Sequence, residues 1–332
     1  MKKALILLFS ISLFSVKAQT NFNQKASVIA AKAFIESLSN EQKAKALFAF
    51  EAPNRTQWSN LPMEQVTREG LWMNDIKDNQ KIHVHNLLQS VLSENGYLKV
   101  MFIMQYDEDI KQRLTNANSP IAQRYGHEKY WVSIFGDPAE GKIWGWKFEG
   151  HHISLNLTYS ANGVTCSPMF TGINPALTSA GPFAGRYIMK TENEVGKDLF
   201  NSLTASQQST ATLGTHPTNA DPMAQTGLEP FFKESKGVLF TEMTKKQQDM
   251  VFELMNSWVE NLNAELANDK MNAMLRNVNN IRFAWMGTND TSKLHYYRIY
   301  APNFSFEMTN RDGAIQHLHS LWRFLDEDFK VK

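Results

Sequence analysis

Four of the nine histidines in this 332-residue sequence form two tight clusters, His151-His152 and His317-Leu318-His319. Imidazole both ligates transition metals and exchanges protons near neutral pH, so these clusters are the first place to look for chemistry. Both fall in segments whose period-two alternation predicts β-strand. Residues two apart on a strand share a face at about 6.5–7 Å, so His317 and His319 can reach one ion. A regular strand through His152 places it with Ser154 and Asn156, while Ile153, Leu155 and Leu157 take the other face. That makes His152, or His151 beside it, the third metal ligand. Glu149 is the candidate general base, or else a group that binds the ion or orients a ligand histidine. Three imidazoles and an open position suit zinc, which acidifies bound water, and copper accepts the same ligands. The competing reading is that these are hydrogen-bonded sheet residues. His83 and His85 stand two apart on a predicted helix, and His127, His216 and His295 are isolated, so all five read as packing or surface residues.

Around this set, Ser154, Asn156, Arg298, Glu307 and Arg323 are the candidate substrate-binding residues. Arg55 and Lys147 join Arg298 and Arg323 as groups able to bind a carboxylate or phosphate, or equally to form structural ion pairs. The aromatics Trp131, Trp144, Trp146, Trp285, Tyr296 and Tyr297 alternate along predicted strands, so half should be core and the other half could stack on a sugar. Cys166 is the only cysteine, which excludes an intramolecular disulfide, and it reads as a buried small residue. Ser154 and Ser320 lack a nucleophile-elbow context. A glycine-rich phosphate loop, a dinucleotide fingerprint and Cys-x-x-Cys are all missing from the sequence.

Thirty-four basic against 33 acidic residues give a weak long-range field, so the sequence carries no signature of nucleic-acid binding. Lys2 and Lys3 precede an apolar run from Ala4 to Val16 that ends in Val16-Lys17-Ala18, the pattern of a signal peptide cleaved near Ala18. The run is shorter than the ~20 residues that span a bilayer, and no later stretch reaches that length. The expectation is a periplasmic or secreted protein without stable membrane insertion after cleavage.

The elements that must position the histidines repeat along the chain. Phe34 to Gln42 aligns with Leu199 to Gln207, Gly70 to Ser90 with Gly237 to Ser257, Phe135 to Phe148 with Met286 to Ile299, and Asn162-Gly163 with Asp312-Gly313. Ser39-x-x-Gln42, Thr204-x-x-Gln207 and Thr244-x-x-Gln247 are capping boxes that should each start a helix. Val84, Leu87, Leu88, Val91 and Leu92, and again Val251, Leu254, Met255, Trp258 and Leu262, fall at helical spacing. The period then drops to two over Tyr130–Phe135, Lys142–Phe148 and His152–Thr158, and again over Ile281–Met286, Leu294–Tyr300, Asn303–Met308 and Ile315–Leu321. The expected fold is α+β: a signal peptide over 1–18, repeat one over 19–185 and repeat two over 186–332. Each repeat is a helical segment followed by an antiparallel meander. A pseudo-twofold relates the two inside one compact unit, and the meanders face or extend one another. Leu213 to Phe231, rich in proline, reads as a long irregular loop of the kind that serves as a lid or partner contact. Positions equivalent to Glu149, His151 and His152 are Tyr300, Pro302 and Asn303, and those equivalent to His317 and His319 are Ser167 and Met169. Each copy thus keeps histidines where the other has none, as a single composite site at the pseudo-twofold interface would require.

The run from Trp144 through Glu149, His151, His152 and Ser154 to Asn156, with His317-Leu-His319-Ser320-Leu-Trp322-Arg323 much later, resembles the bacterial domain of unknown function 3500 family. Asn54-Arg55-x-x-Trp58 and Tyr296-Tyr297-Arg298-Ile299 add to the resemblance, which covers nearly the whole mature chain. Phe324 departs from the pattern where an acidic residue is expected, although Asp326 follows. The resemblance implies membership and carries no mechanism. The residues support a metal-dependent envelope enzyme, hydrolytic rather than oxidative. The alternatives are a non-catalytic protein that binds a small-molecule solute or glycan, and a structural module that binds a partner.

Overall fold

A computed structural model describes residues 23–181, 183–217, 236–288, 290, 292–312 and 317–332. The signal-peptide segment and residues 218–231 of the proline-rich loop lie outside the described residues.

All three capping boxes form. Ser39, Thr204 and Thr244 each accept from the third backbone N–H of the helix they open, and Gln42, Gln207 and Gln247 reach back. They start α2 (Asn40–Ala46), α6 (Ala205–Ala211) and α7 (Lys245–Val259). The remaining helices among the described residues are α1 (Lys25–Ser37), α3 (Asp78–Gln89), α4 (Glu94–Asn116), α5 (Lys190–Ser202) and α8 (Ala264–Leu275). Val84, Leu87 and Leu88 on α3 and Val251, Leu254, Met255 and Trp258 on α7 are buried, which is the apolar stripe their spacing predicts.

Among the described residues thirteen strands form one sheet. They are β1 (Leu47–Phe48), β2 (Leu71–Trp72), β3 (Tyr130–Gly136), β4 (Trp144–Gly150), β5 (Ile153–Ser160), β6 (Gly163–Thr165), β7 (Met169–Ile173), β8 (Thr212–Gly214), β9 (Val238–Leu239), β10 (Arg282–Gly287), β11 (His295–Ala301), β12 (Phe304–Asn310) and β13 (Leu318–Phe324). The order is β1-β3-β4-β5-β7-β13-β12-β11-β10-β8, with β2 on β3, β6 on β5 and β9 on β10. The meanders extend one another: β7 pairs antiparallel with β13, from Leu318 opposite Ile173 to Trp322 opposite Met169. The sheet is mixed, because β1 and β8 run parallel to β3 and β10 at the two outer edges. These short edge strands escape period-two analysis, since two or three residues cannot display a period.

Strand alternation divides the side chains between two faces. Trp258 of α7 stacks on Phe306 with ring centroids 4.7 Å apart, and Phe200 of α5 stacks on Trp285 at 4.4 Å, so the helices cover this face. On the opposite face Phe170, Tyr296 and Leu321 form a smaller apolar cluster with Trp58, Leu213 and Met286. Along β4 and β5 that second face is polar and nonetheless buried: Lys147, Glu149, Ser154 and Asn156 are all shielded. Segment 54–68 supplies partners there, and the backbone oxygens of Asn54 and Gln57 accept from Lys147 Nζ at 2.9 and 2.8 Å.

Candidate metal centre

The hairpin joining β4 to β5 differs from its sequence reading. Gly150 pairs with Ile153, which leaves His151-His152 as a two-residue turn instead of the first residues of a strand. His152 adopts φ 63° while His151 does not take a positive φ, so the left-handed residue is the second of the turn, as in a type II turn. The two turn residues include no glycine, asparagine or aspartate, so no turn signal marks the sequence. The turn is tied on both sides. The His152 N–H donates to the Asn60 carbonyl at 3.1 Å, and its carbonyl accepts from the Gly172 N–H at 2.7 Å. Arg68 secures the loop behind it, with Nη2 donating to the carbonyls of Ser59 (2.9 Å), Leu61 (2.5 Å) and Gly150 (3.2 Å).

This turn carries His152 onto the seam between β7 and β13. His319 of β13 lies opposite Gly172 of β7, and His317 precedes the strand by one residue. The three Nε2 atoms close a triangle: 3.0 Å from His152 to His317, 3.2 Å from His152 to His319 and 2.9 Å from His317 to His319. Gly172 makes room for it, because a Cβ there would stand 2.9 Å from both the His152 and His319 rings.

An imidazole nitrogen directs one in-plane lone pair or one N–H outward, so it cannot satisfy two such neighbours at once. Three nitrogens that all touch are therefore poor as a hydrogen-bonded set and suited to a cation on their common axis. With metal–nitrogen bonds of ~2.0–2.1 Å, ligand nitrogens are about 3.3 Å apart in a tetrahedral complex and about 2.9 Å in an octahedral one. The observed edges fall between these values, and three histidine ligands leave at least one position open. Among the described residues, His152, His317 and His319 are the group of ligand-type side chains placed closely enough that they could hold one metal ion.

Electrostatics favour the ligand form. Burial, then the neighbouring His151, His319 and His317 and Arg311, hold the His152 imidazole well below its ordinary pKa and keep its lone pair available. His317 is partly exposed, and its Nδ1 lies 3.5 Å from Asp312 Oδ2, the outward carboxylate contact common behind metal-binding imidazoles.

His151 stands outside this trio, although the sequence grouped it with the ligands. Its ring stacks on His152 at 3.7 Å between centroids, Tyr125 meets it edge-on, and its Nδ1 lies 2.6 Å from Asp107 Oδ1. Tyr130 Oη sits within hydrogen-bonding distance of both Asp107 Oδ2 (3.1 Å) and the His151 carbonyl (3.0 Å). Asp107 was not singled out in the sequence, yet a signal is present. Val100, Ile103, Met104 and Asp107 share the buried stripe of α4, and an acid in a core position needs a partner.

Glu149, the candidate base, also stands outside the trio. Lys147 Nζ lies 2.8 Å from Glu149 Oε1 and Arg68 Nε 3.8 Å from its Oε2, all three side chains being buried. Of the candidate substrate-binding residues, Asn156 donates to Ser154 Oγ at 3.0 Å and to the Pro168 carbonyl at 2.8 Å. Glu307 accepts from Tyr296 Oη at 2.8 Å, and buried Arg298 lies over the Tyr300 ring at 4.4 Å. Arg323 pairs with Asp328, with Nε 2.6 Å from Oδ2, and Arg55 donates to the Phe329 carbonyl at 2.7 Å. Trp144, Trp146, Trp285, Tyr296 and Tyr297 are fully buried, whereas Trp131 is half-buried and stacks on Trp72. Cys166 is buried, and burial pushes its thiol up to about 12, the state of an unreactive sulfur.

The family model for proteins of unknown function designated DUF3500 matches residues 20–331, and the chain belongs to that family. No curated protein and no solved structure gives a significant match.

Proposed function

We propose that this DUF3500 protein is an exported metalloenzyme of the cell envelope, a hydrolase in which His152, His317 and His319 hold one zinc ion, with copper as the second candidate metal. The observation that carries the reading is the triangle of Nε2 atoms with edges of 2.9–3.2 Å, built by two distant parts of the chain. An all-imidazole set with an open position suits zinc hydrolysis chemistry, whereas copper electron-transfer sites add a thiolate, and Cys166 is buried away from the trio. Bound zinc would supply an acidified water and a Lewis acid for a scissile carbonyl or phosphoryl group. The chain holds the ligands in place through the Asn60 and Gly172 backbone contacts and orients the His152 ring by stacking His151 on it, with Asp107 fixing His151. His317, the most exposed of the three, marks the side open to solvent.

The two halves, 19–185 and 186–332, then read as diverged copies related by a pseudo-twofold passing between β7 and β13. The sheet order mirrors about that seam, and the site combines the first half's hairpin turn with the second half's His-x-His. Export rests on the N-terminal pattern. None of the described helices is long and apolar enough to cross a membrane.

Elemental analysis of mature protein purified without chelators tests the reading beside a His317→Ala/His319→Ala variant. About one equivalent of zinc or copper in the parent and less than a tenth of that in the variant is expected, since two of three ligands are gone. A metal-free parent protein that takes up neither ion on dialysis would overturn the assignment.

A further inference from the structure

A groove of about 400 Å³ lies on the helical side, between α4 and the chain that follows β7. One wall is a stripe of α4: Gln105, Asp109, Gln112, Arg113 and Asn116, whose spacing places them on one helical face. The other wall is formed by Pro175 and residues 178–181, with Phe183 at the edge. The backbone of this second wall is held in place, because Thr178 N–H donates to the Arg186 carbonyl at 2.9 Å and Gly185 N–H to the Thr178 carbonyl at 2.8 Å.

A polar helix face is ordinary and carries nothing alone. Two further observations point to a ligand. Tyr106, only 4% exposed, and Thr178 both line the groove, and among the described residues neither the Tyr106 hydroxyl nor Thr178 Oγ1 has a hydrogen-bond partner. Buried hydroxyls left unsatisfied cost free energy, and a ligand with matching groups removes that cost. In addition, Phe183 is 38% exposed at the edge of the groove and is held edge-on against Phe102 at 5.4 Å, with Arg186 3.4 Å from the Phe102 ring centre.

We propose that this groove is a binding site for a polyhydroxylated ligand of the oligosaccharide class. Sugar hydroxyls both donate and accept, which matches a lining that mixes amides, a carboxylate, a guanidinium and three hydroxyls. The apolar face of a sugar ring suits a fixed exposed aromatic such as Phe183. Asp109 argues against a purely anionic ligand. The volume falls within the ~300–1,000 Å³ of small-ligand sites. The groove shares α4 with the metal centre, since Tyr106 and Asp107 are consecutive, but it uses none of the histidines.

The mature protein is titrated calorimetrically with hexamers of β-1,4-glucose, β-1,4-N-acetylglucosamine and α-1,4-glucose, in the presence of EDTA. Saturable binding of at least one hexamer is expected, with a Kd of about 1 mM or tighter. Tyr106→Phe should weaken it by about fivefold to tenfold, the loss of one hydrogen bond, while leaving thermal stability equal or higher because an unsatisfied hydroxyl has been removed. Phe183→Ala should weaken it by about tenfold. Absence of binding by all three hexamers, or binding indifferent to both substitutions, overturns the proposal. Binding in EDTA stands whether or not the metal reading holds, and binding seen only when the titration is repeated with zinc in place of EDTA counts against a separate groove site.

Discussion

His152 holds a left-handed backbone at φ 63° while presenting a ring to the site, so its conformation and its chemistry can be separated by substitution. A side chain with a Cβ in this region costs roughly 1 kcal/mol relative to glycine. His152→Gly and His152→Ala should both abolish metal retention, but in the metal-free state the glycine variant should be the more stable by about 1 kcal/mol, measured by urea unfolding in EDTA. Equal stabilities would mean that the turn is not strained. The same residue shows why the neighbours Glu149 and His151 had different fates from those expected. Once the turn takes up 151–152, adjacent side chains no longer alternate as on a strand. His151 then meets Asp107 of α4, while Glu149 is engaged by Lys147 and Arg68.

Helices α4 and α8 begin against each other's preceding turns. Ser93 caps α4 by accepting from Gly96 N–H at 3.0 Å, and its own N–H donates to the Asn261 carbonyl at 3.0 Å. Asn263 caps α8 by accepting from Leu266 N–H at 3.1 Å, and its N–H donates to the Val91 carbonyl at 2.8 Å. Gly96 sits in this crossing, where an added Cβ would lie 2.0 Å from the Asn261 carbonyl oxygen. In an exposed helix, Gly→Ala stabilises by up to ~1 kcal/mol. Here the sign should reverse: Gly96→Ala is expected to destabilise by about 1–3 kcal/mol, because the obstacle is backbone and cannot rotate away. Chemical denaturation reads the sign directly, and a stabilised variant would show that the two turns are not locked.

One sheet running through both halves makes acid sensitivity a property of the entire fold. His295 on β11 is buried, and burial outweighs its contact with the Lys293 carbonyl, bringing its pKa down to about 4. In the unfolded chain the same imidazole titrates near 6.5. As pH falls below that value the unfolded state takes up the proton first, so stability rises with pH across the window and is lost from about 6.5 down to about 4. The loss from this residue is on the order of 3 kcal/mol, and His152, shifted in the same direction, adds to it in metal-free protein. Urea unfolding at successive pH values should show this slope, and His295→Gln should flatten it by close to one proton. A variant with the parental slope would place the acid sensitivity elsewhere.

The sequence by itself determined what depends on neighbours along the chain. The capping boxes at Ser39, Thr204 and Thr244, the apolar stripes of α3 and α7, and the long strands β3, β4, β10, β11 and β12 are local patterns whose physics is complete within a few residues. It also pointed to His151, His152, His317 and His319 together, because imidazoles at such spacing are conspicuous without a fold. Only the tertiary structure decided that the meanders join through β7 and β13 into one sheet, that Gly150 pairs with Ile153 so that His152 becomes a turn residue, and that His151 is engaged by Asp107. Each of these is a pairing between distant segments, chosen by which faces can be buried together. A single strand's alternation is the same whichever partner it meets.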